Sequence, residues 1–300
     1  MGDMRRIAPR GRFSLRAAAG FGFGPNEGRA PEFDGAMRLA FPVDGGRGYA
    51  GAVLRQADDD GPVEVDLELR EGASADTALA QVARVVSLDH DGAAFAAVGE
   101  ADPVIGALQR AHPGQRPVLF HSPYEAAAWA IISARRPAAQ GARVRAALGT
   151  ELGATFSLAG QTLVAFPQPD RLFALPDAFP GLNATKVDRL RAVAGAAAAG
   201  ELDAKRLQEL GPGRTYEDVQ RLAGIGPFSA GLITLRATGF ADAMLLAPEP
   251  KVLAHATRFY GREQALDLAG LSELAEAWRP FRTWATVLIR LAGERGTTLD

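Results

Sequence analysis

Apolar and polar positions alternate along four short stretches in the first third of the chain. The segments 13–16, 35–41, 48–54 and 63–69 are separated by glycine or charged turns, the pattern of an antiparallel sheet with one buried face. The period then changes. Ala78, Val82 and Val85 fall on one side of a helix predicted over 75–86, with Ser74 as its N-cap and Asp76 in its first turn, where an acid suits the helix dipole. Beyond Asp102 and Pro103 nearly every segment has helical spacing and is rich in alanine, with proline and glycine as punctuation. The stretch from Ala154 to Ala165 is an exception and reads either as a small hairpin or as an irregular excursion. The pattern therefore predicts an α+β domain over residues 1–102 and an all-α domain over 103–300.

Within the second domain, Leu222-Ala223-Gly224-Ile225-Gly226-Pro227-Phe228-Ser229-Ala230 reads as two helices joined by a tight turn. Thr215 has the character of an N-cap with Asp218 reaching back, Val219, Leu222 and Ala223 continue an apolar face, and Gly224 stops the helix. Pro227 suits the first position of the next helix, whose buried side is Leu232, Ile233 and Leu235 up to Gly239. Gly224 and Gly226 are free to take positive φ, so a nucleic-acid strand could approach N–H groups at a helix N-terminus. A bare Gly-x-Gly is more often an ordinary αα-hairpin, but the nine-residue string is far more constrained than that.

Composition narrows the function classes. The chain has 300 residues, 47% of them hydrophobic, enough for real cores in two domains. With a net charge of −2, affinity for DNA has to come from a local patch and the hairpin amides. There is no cysteine, which removes disulfides, thiol catalysis and cysteine-held metal or clusters, and four scattered histidines, His90, His112, His121 and His255, offer no metal constellation. No metal and no cofactor are expected. The segment from Met1 to Arg12 is basic and lacks the apolar core of a signal peptide, and no run approaches a membrane span. A cytoplasmic, nucleoid-associated monomer that binds double-stranded DNA and no membrane is the expectation.

Three further segments join the hairpin in one resemblance. They are Ser122-Pro123-Tyr124-Glu125 running to Ile132, Phe179-Pro180-Gly181-Leu182 with Lys186 and Leu190, and Trp278-Arg279-Pro280-Phe281-Arg282-Thr283-Trp284-Ala285. With them the chain resembles, over roughly residues 117–295, the helix-hairpin-helix (HhH-GPD) DNA glycosylases, specifically the bacterial 3-methyladenine DNA glycosylase II (AlkA-like) branch. The resemblance implies a first domain like the TATA-binding protein, an antiparallel sheet with a helix, followed by an all-α helix-hairpin-helix glycosylase domain. It implies a base-excision-repair enzyme that flips an alkylated purine out of duplex DNA and hydrolyses its N-glycosidic bond to leave an abasic site. Relatives holding an iron–sulfur cluster are excluded as close counterparts by the absence of cysteine.

Breaking that bond passes through an oxocarbenium-like sugar and needs a carboxylate near C1′. Where the family has an aspartate beyond the hairpin, this chain has Leu246-Ala247-Pro248-Glu249-Pro250-Lys251, so Glu249 takes the position. Glu249 also suits the cap of a helix starting near Pro250, and the two roles are compatible. Bifunctional relatives carry a lysine after the hairpin proline; Phe228 stands there and cannot be a nucleophile, which implies a monofunctional enzyme. Phe228, Trp278 and Tyr124 are the candidate base-pocket aromatics, with a core role as the alternative for Trp278 and with Trp129 assigned to the core. Gly224, Ile225, Gly226 and Ser229 of the hairpin are assigned to DNA, as are Arg135 and Arg136 of the turn after Ile132, where Arg135 matches the wedge that fills the gap left by a flipped base. Ala134 stands where a polar contact to the opposite strand is expected. Lys251, Arg236 and Arg258 are further candidates for phosphates. The alternative functions are a catalytically impaired DNA- or lesion-binding protein and a helical regulator that uses the hairpin for protein contacts.

Overall fold

The computed structural model describes residues 3–21, 32–45 and 47–299; Met1, Gly2 and Asp300, at the ends of the two expected domains, lie outside them. The first part is a four-stranded antiparallel sheet in the order β1 (Asp3–Ile7), β4 (Val63–Arg70), β3 (Tyr49–Gln56), β2 (Met37–Pro42). In β4 the alternation is plain: Val63, Val65 and Leu67 are buried and Glu64, Asp66 and Glu68 are less so. Each such apolar side chain contributes about 1.5–3 kcal/mol on burial. Leu39, Ala50, Ala52, Leu54 and these residues pack against Ala78, Val82 and Val85 of α2 (Ala75–Val85), which Ser74 caps by accepting from the Thr77 N–H.

One predicted strand is not a strand. Phe13 and Leu15 are both buried, but Ser14 between them caps a short helix, α1 (Leu15–Ala19), its hydroxyl accepting from the Ala17 N–H. A side-chain oxygen that satisfies an orphan helix donor outweighs a weak alternation over four residues.

β3 is buried on both faces, because Tyr49 and Val53 on its second face meet Phe156 and Leu158. These belong to a hairpin, β5 (Ala154–Leu158) paired with β6 (Gln161–Ala165), so the excursion left open by the sequence is a hairpin laid across the sheet. Gly51 is required there, since a Cβ on it would lie 2.6 Å from the Phe156 ring.

The remaining helices are α3 (Gly92–Ala101), α4 (Pro103–Ala111), α5 (Pro123–Ser133), α6 (Ala138–Leu152), α7 (Pro169–Phe173), α8 (Ala184–Ala198), α9 (Ala204–Leu210), α10 (Pro212–Val219), α11 (Pro227–Arg236), α12 (Pro250–Phe259), α13 (Leu268–Ala275) and α14 (Arg282–Glu294). They form two cores. One surrounds α5, whose run from Tyr124 to Ile132 is buried throughout and packs with Val144, Leu190, Ala230 and Ile233. A helix that is apolar all round belongs at a centre. The other joins Val252, Leu271, Trp278, Phe281, Trp284 and Leu288 with Ile105 and Leu108. Phe95 and Val98 of α3 pack in that same core, so helical packing begins upstream of Pro103. α11 lies at the seam, with Ile233 in the first core and Leu235 in the second.

Two buried arginines fasten sheet to helices. The Arg116 guanidinium donates to the carbonyls of Arg10, Gly11, Arg12, Ser87 and His90, and burial among neutral acceptors pulls its pKa down to about 10. Arg84 donates to the Asp44 carboxylate at 2.6 Å and to the carbonyls of Ala237 and His121.

Candidate active site

α10 and α11 form the predicted pair of helices, but α10 ends at Val219 rather than running on to Gly224, and Thr215 and Gly226 differ from expectation. Thr215 is inside α10 rather than at its cap, which is Gly211 with Pro212 after it; the Thr215 hydroxyl donates instead to the Leu207 carbonyl at 2.6 Å. Gly224 takes φ +94, but Gly226 does not need a glycine's freedom, with φ −91 and ψ −179 as the N-cap of α11. Ile225 is buried between them and anchors the loop to the first core. Because Gly226 has no side chain, α11 opens with no side-chain cap bond, and its first N–H groups have no side-chain partner from the cap, with Pro227 at the first turn. Ser229 is half-buried in that turn.

Phe228 stands beside these donors with 60% of its surface exposed, one of few large apolar side chains so placed among the described residues. The other two candidate aromatics are enclosed. Trp278 is fully buried, and its indole N–H lies 3.0 Å from both the Asp102 carboxylate and the Tyr260 hydroxyl, which itself donates to Asp102 at 2.7 Å. Burial and the Asp102 charge hold the Tyr260 phenol strongly protonated. Tyr124 is buried against Phe166 and donates to the Pro167 carbonyl at 3.0 Å. In this conformation neither presents a face to a base, which corrects the expectation that they line a pocket: an internal partner for each polar tip was available, and a buried tip takes one. Trp129 is buried over Gly141, as assigned.

The turn after α5 carries the arginines. Arg135 is exposed and holds φ +56, a left-handed conformation that side chains rarely adopt, while Arg136 donates to the Gly181 carbonyl at 2.8 Å. Arg236 is not available for phosphates. It is buried, donates to the Val118 carbonyl, and sits with its guanidinium over the Phe21 ring. Arg258 lies over Phe259.

Glu249 is the N-cap of α12. Its Oε2 accepts from the Val252 N–H at 2.6 Å and lies 3.4 Å from the Arg290 Nε. Arg290 is braced in turn by Glu294 at 2.7 Å, and Glu294 also meets Lys251 at 3.1 Å and His255 at 3.6 Å. The Lys251 bond in particular lowers the Glu294 pKa. Glu249 thus keeps one carboxylate oxygen anchored and the other without a hydrogen bond among the described residues, at about one-fifth side-chain exposure. Pattern reading missed Arg290; the only local trace was its spacing to Glu294 along α14.

A recess of about 480 Å³ lies elsewhere, among Phe95, Gln109, Arg110, Arg116 and Trp284, and contains none of these residues. Among the described residues no group of acidic or histidine side chains is arranged to hold a metal ion, and no helix is long and apolar enough to cross a membrane.

No family model and no curated protein matches the chain. Solved structures do. The 3-methyladenine DNA-glycosylase from Archaeoglobus fulgidus superposes with a TM-score of 0.75 at 19% identity, over 97% of this chain and 98% of that one. MBOgg1 in complex with a low-affinity DNA ligand gives 0.68 at 14%, over 99% of each. The apo-form 8-oxoguanine glycosylase/lyase of Clostridium acetobutylicum gives 0.66 at 15%, over 97% and 98%. Sheet, hairpin and both helical cores fall within these spans, and the chain has the fold of the helix-hairpin-helix DNA glycosylases.

Proposed function

We propose that the protein is a monofunctional DNA glycosylase of base excision repair that releases alkylated purines of the 3-methyladenine type from duplex DNA. Three features support the reading: an uncapped helix N-terminus behind the hairpin, an exposed Phe228 on its first turn, and, on the loop that follows α11, Glu249 with one carboxylate oxygen that has no hydrogen bond among the described residues. The donors suit a backbone phosphate, and an aromatic face suits a base carrying delocalised positive charge. The carboxylate suits a sugar that becomes cationic as the bond breaks. In the reaction, hairpin N–H groups would hold the strand, Arg135 would fill the space the base leaves, Phe228 would stack on the flipped base, and Glu249 would stabilise the oxocarbenium ion while water adds at C1′. The products are the free base and an abasic site. With Phe228 in place of an amine, borohydride should trap no protein–DNA adduct; a trapped adduct would overturn the monofunctional reading.

Arg290 orients Glu249 in this scheme. Arg290→Met is expected to lower the single-turnover rate by about 10- to 100-fold with duplex affinity unchanged, since small misplacements of a reacting group carry losses of this order. An unchanged rate would free Glu249 from that support.

Gly226→Ala probes the hairpin cleanly. A Cβ there meets nothing within 4 Å and φ is ordinary, so the variant should fold as the wild type does. Its affinity for damaged and undamaged duplexes should fall alike, by about tenfold, the scale of one charge-assisted hydrogen bond. Loss confined to damaged DNA in an anisotropy titration would count against phosphate anchoring.

The anchored Glu249 oxygen also fits a second reading, a lesion-binding protein in which Glu249 only caps α12. Failure to release base from an alkylated duplex that the protein binds would select it.

A further inference from the structure

The hairpin does not stand alone. The side chain of Arg189, on α8, runs beneath Gly224 so closely that a Cβ on that glycine would lie 2.7 Å from the Arg189 Cδ and 3.3 Å from the guanidinium carbon. One turn earlier on the same helix, the Lys186 Nζ donates to the carbonyls of Ile132 and Ala134 at 2.9 Å each, the open C-terminal end of α5 from which the Arg135 turn departs. Arg136 donates from that turn to Gly181, and its other terminal nitrogen is buried without a hydrogen-bond partner. Among the described residues no carboxylate forms an ion pair with Arg135, Arg136, Lys186 or Arg189, although eight other arginines of the helical part have one. The cations crowd one another: burial, then the charges of Arg136 and Arg189, lower the Lys186 pKa. Uncompensated like charges gathered beside a helix N-terminus are an arrangement that an anion relieves.

We infer that Arg189, together with Arg135, Arg136 and Lys186, extends the hairpin N–H groups into one basic seat for the backbone phosphates of a single strand of duplex DNA, running from Gly224 to the Arg135 turn. Arg189 makes the direct phosphate contact beside the hairpin. Lys186 and Arg136 hold the turn on backbone carbonyls so that Arg135 reaches the same strand. Gly224 is fixed twice over, by its φ of +94 and by the guanidinium beneath it. The seat deepens the DNA-glycosylase reading and rests on it for the choice of polyanion.

The test is a potassium chloride titration of the affinity for an undamaged duplex, read by fluorescence anisotropy. Each phosphate contact contributes about 0.9 to the slope of log affinity against log salt. Arg189→Met should reduce the magnitude of the slope by about 1, and Arg135→Met with Arg189→Met by about 2, equally for damaged and undamaged duplexes, whereas Arg189→Lys should keep the slope. A thermal melt accompanies each variant. A lower Tm with an unchanged slope would make Arg189 a packing residue under the hairpin and overturn the inference, as would wild-type affinity that does not respond to salt. Base release separates the two readings. A wild type with the expected slopes that releases no base leaves the seat and removes the glycosylase, and base release with slopes unchanged in Arg189→Met does the reverse.

Discussion

Glu249→Gln is expected to lower the single-turnover rate of base release by about 10² or more, close to 3 kcal/mol of transition-state stabilisation, while the affinity for alkylated duplex changes little. The glutamine amide oxygen can still accept from the Val252 N–H, so the cap of α12 and the fold survive. What is lost is the negative charge, which matters only as the sugar becomes cationic, and an interaction confined to the transition state appears in the rate and not in binding. An equal loss in affinity would make Glu249 a ground-state contact. An unchanged rate would move the catalytic role to another group, or to water acting on an intrinsically labile cationic lesion.

The second large effect concerns stability. Glu125→Gln is expected to destabilise the protein by about 3–5 kcal/mol, the usual consequence of stranding a buried charge. Glu125 is buried at the start of α5, with His121 Nδ1 at 2.7 Å from one carboxylate oxygen and Arg145 donating to the other. Arg145 already has a buried Nε without a partner, so it has nowhere to turn. Burial alone would push the Glu125 pKa up; the charges and hydrogen bonds of Arg145 and His121 overcome it and bring it down to about 2. A folded pKa below the unfolded value of 4.5 gives stability that is fully present above pH 4.5 and is lost as the pH falls towards 2. The wild-type denaturation midpoint in urea should therefore drop across that window, and the Glu125→Gln midpoint should be lower at neutral pH and flatter below pH 4.5. Equal midpoints at pH 7 would show that desolvation cancels what the pair contributes.

Local signals carried much of the fold. β2, β3, β4 and α2 were legible because alternation, helical spacing and the Ser74 cap all lie within a few residues of one another. β1 was not, since it is a sheet edge rich in charge, where Arg6 pairs with Glu64 of β4 across the chain. The face of β3 that meets Phe156 could not be seen either, because period alone does not say what lies on the second side. The site divides along the same line. The helix starts at Pro227 and Pro250, with Gly226 and Glu249 before them, follow from proline and cap chemistry. The Arg290 support of Glu249, the Arg189 contact with Gly224 and the burial of Trp278 on Asp102 join residues distant in sequence and required coordinates. Thr215 shows the opposite failure: a residue of cap character was drawn into a helix because Pro212 supplies an earlier start.

The most direct measurement is release of free base from methylated duplex DNA under single-turnover conditions, with the strand backbone assayed in the same reaction. The account predicts that the wild type releases methylated purine and leaves an alkali-labile abasic site in an intact strand, and that Glu249→Gln does so at least about 10²-fold more slowly. A wild type that binds the alkylated duplex but releases no base, or that cuts the strand through a borohydride-trappable adduct, would contradict it.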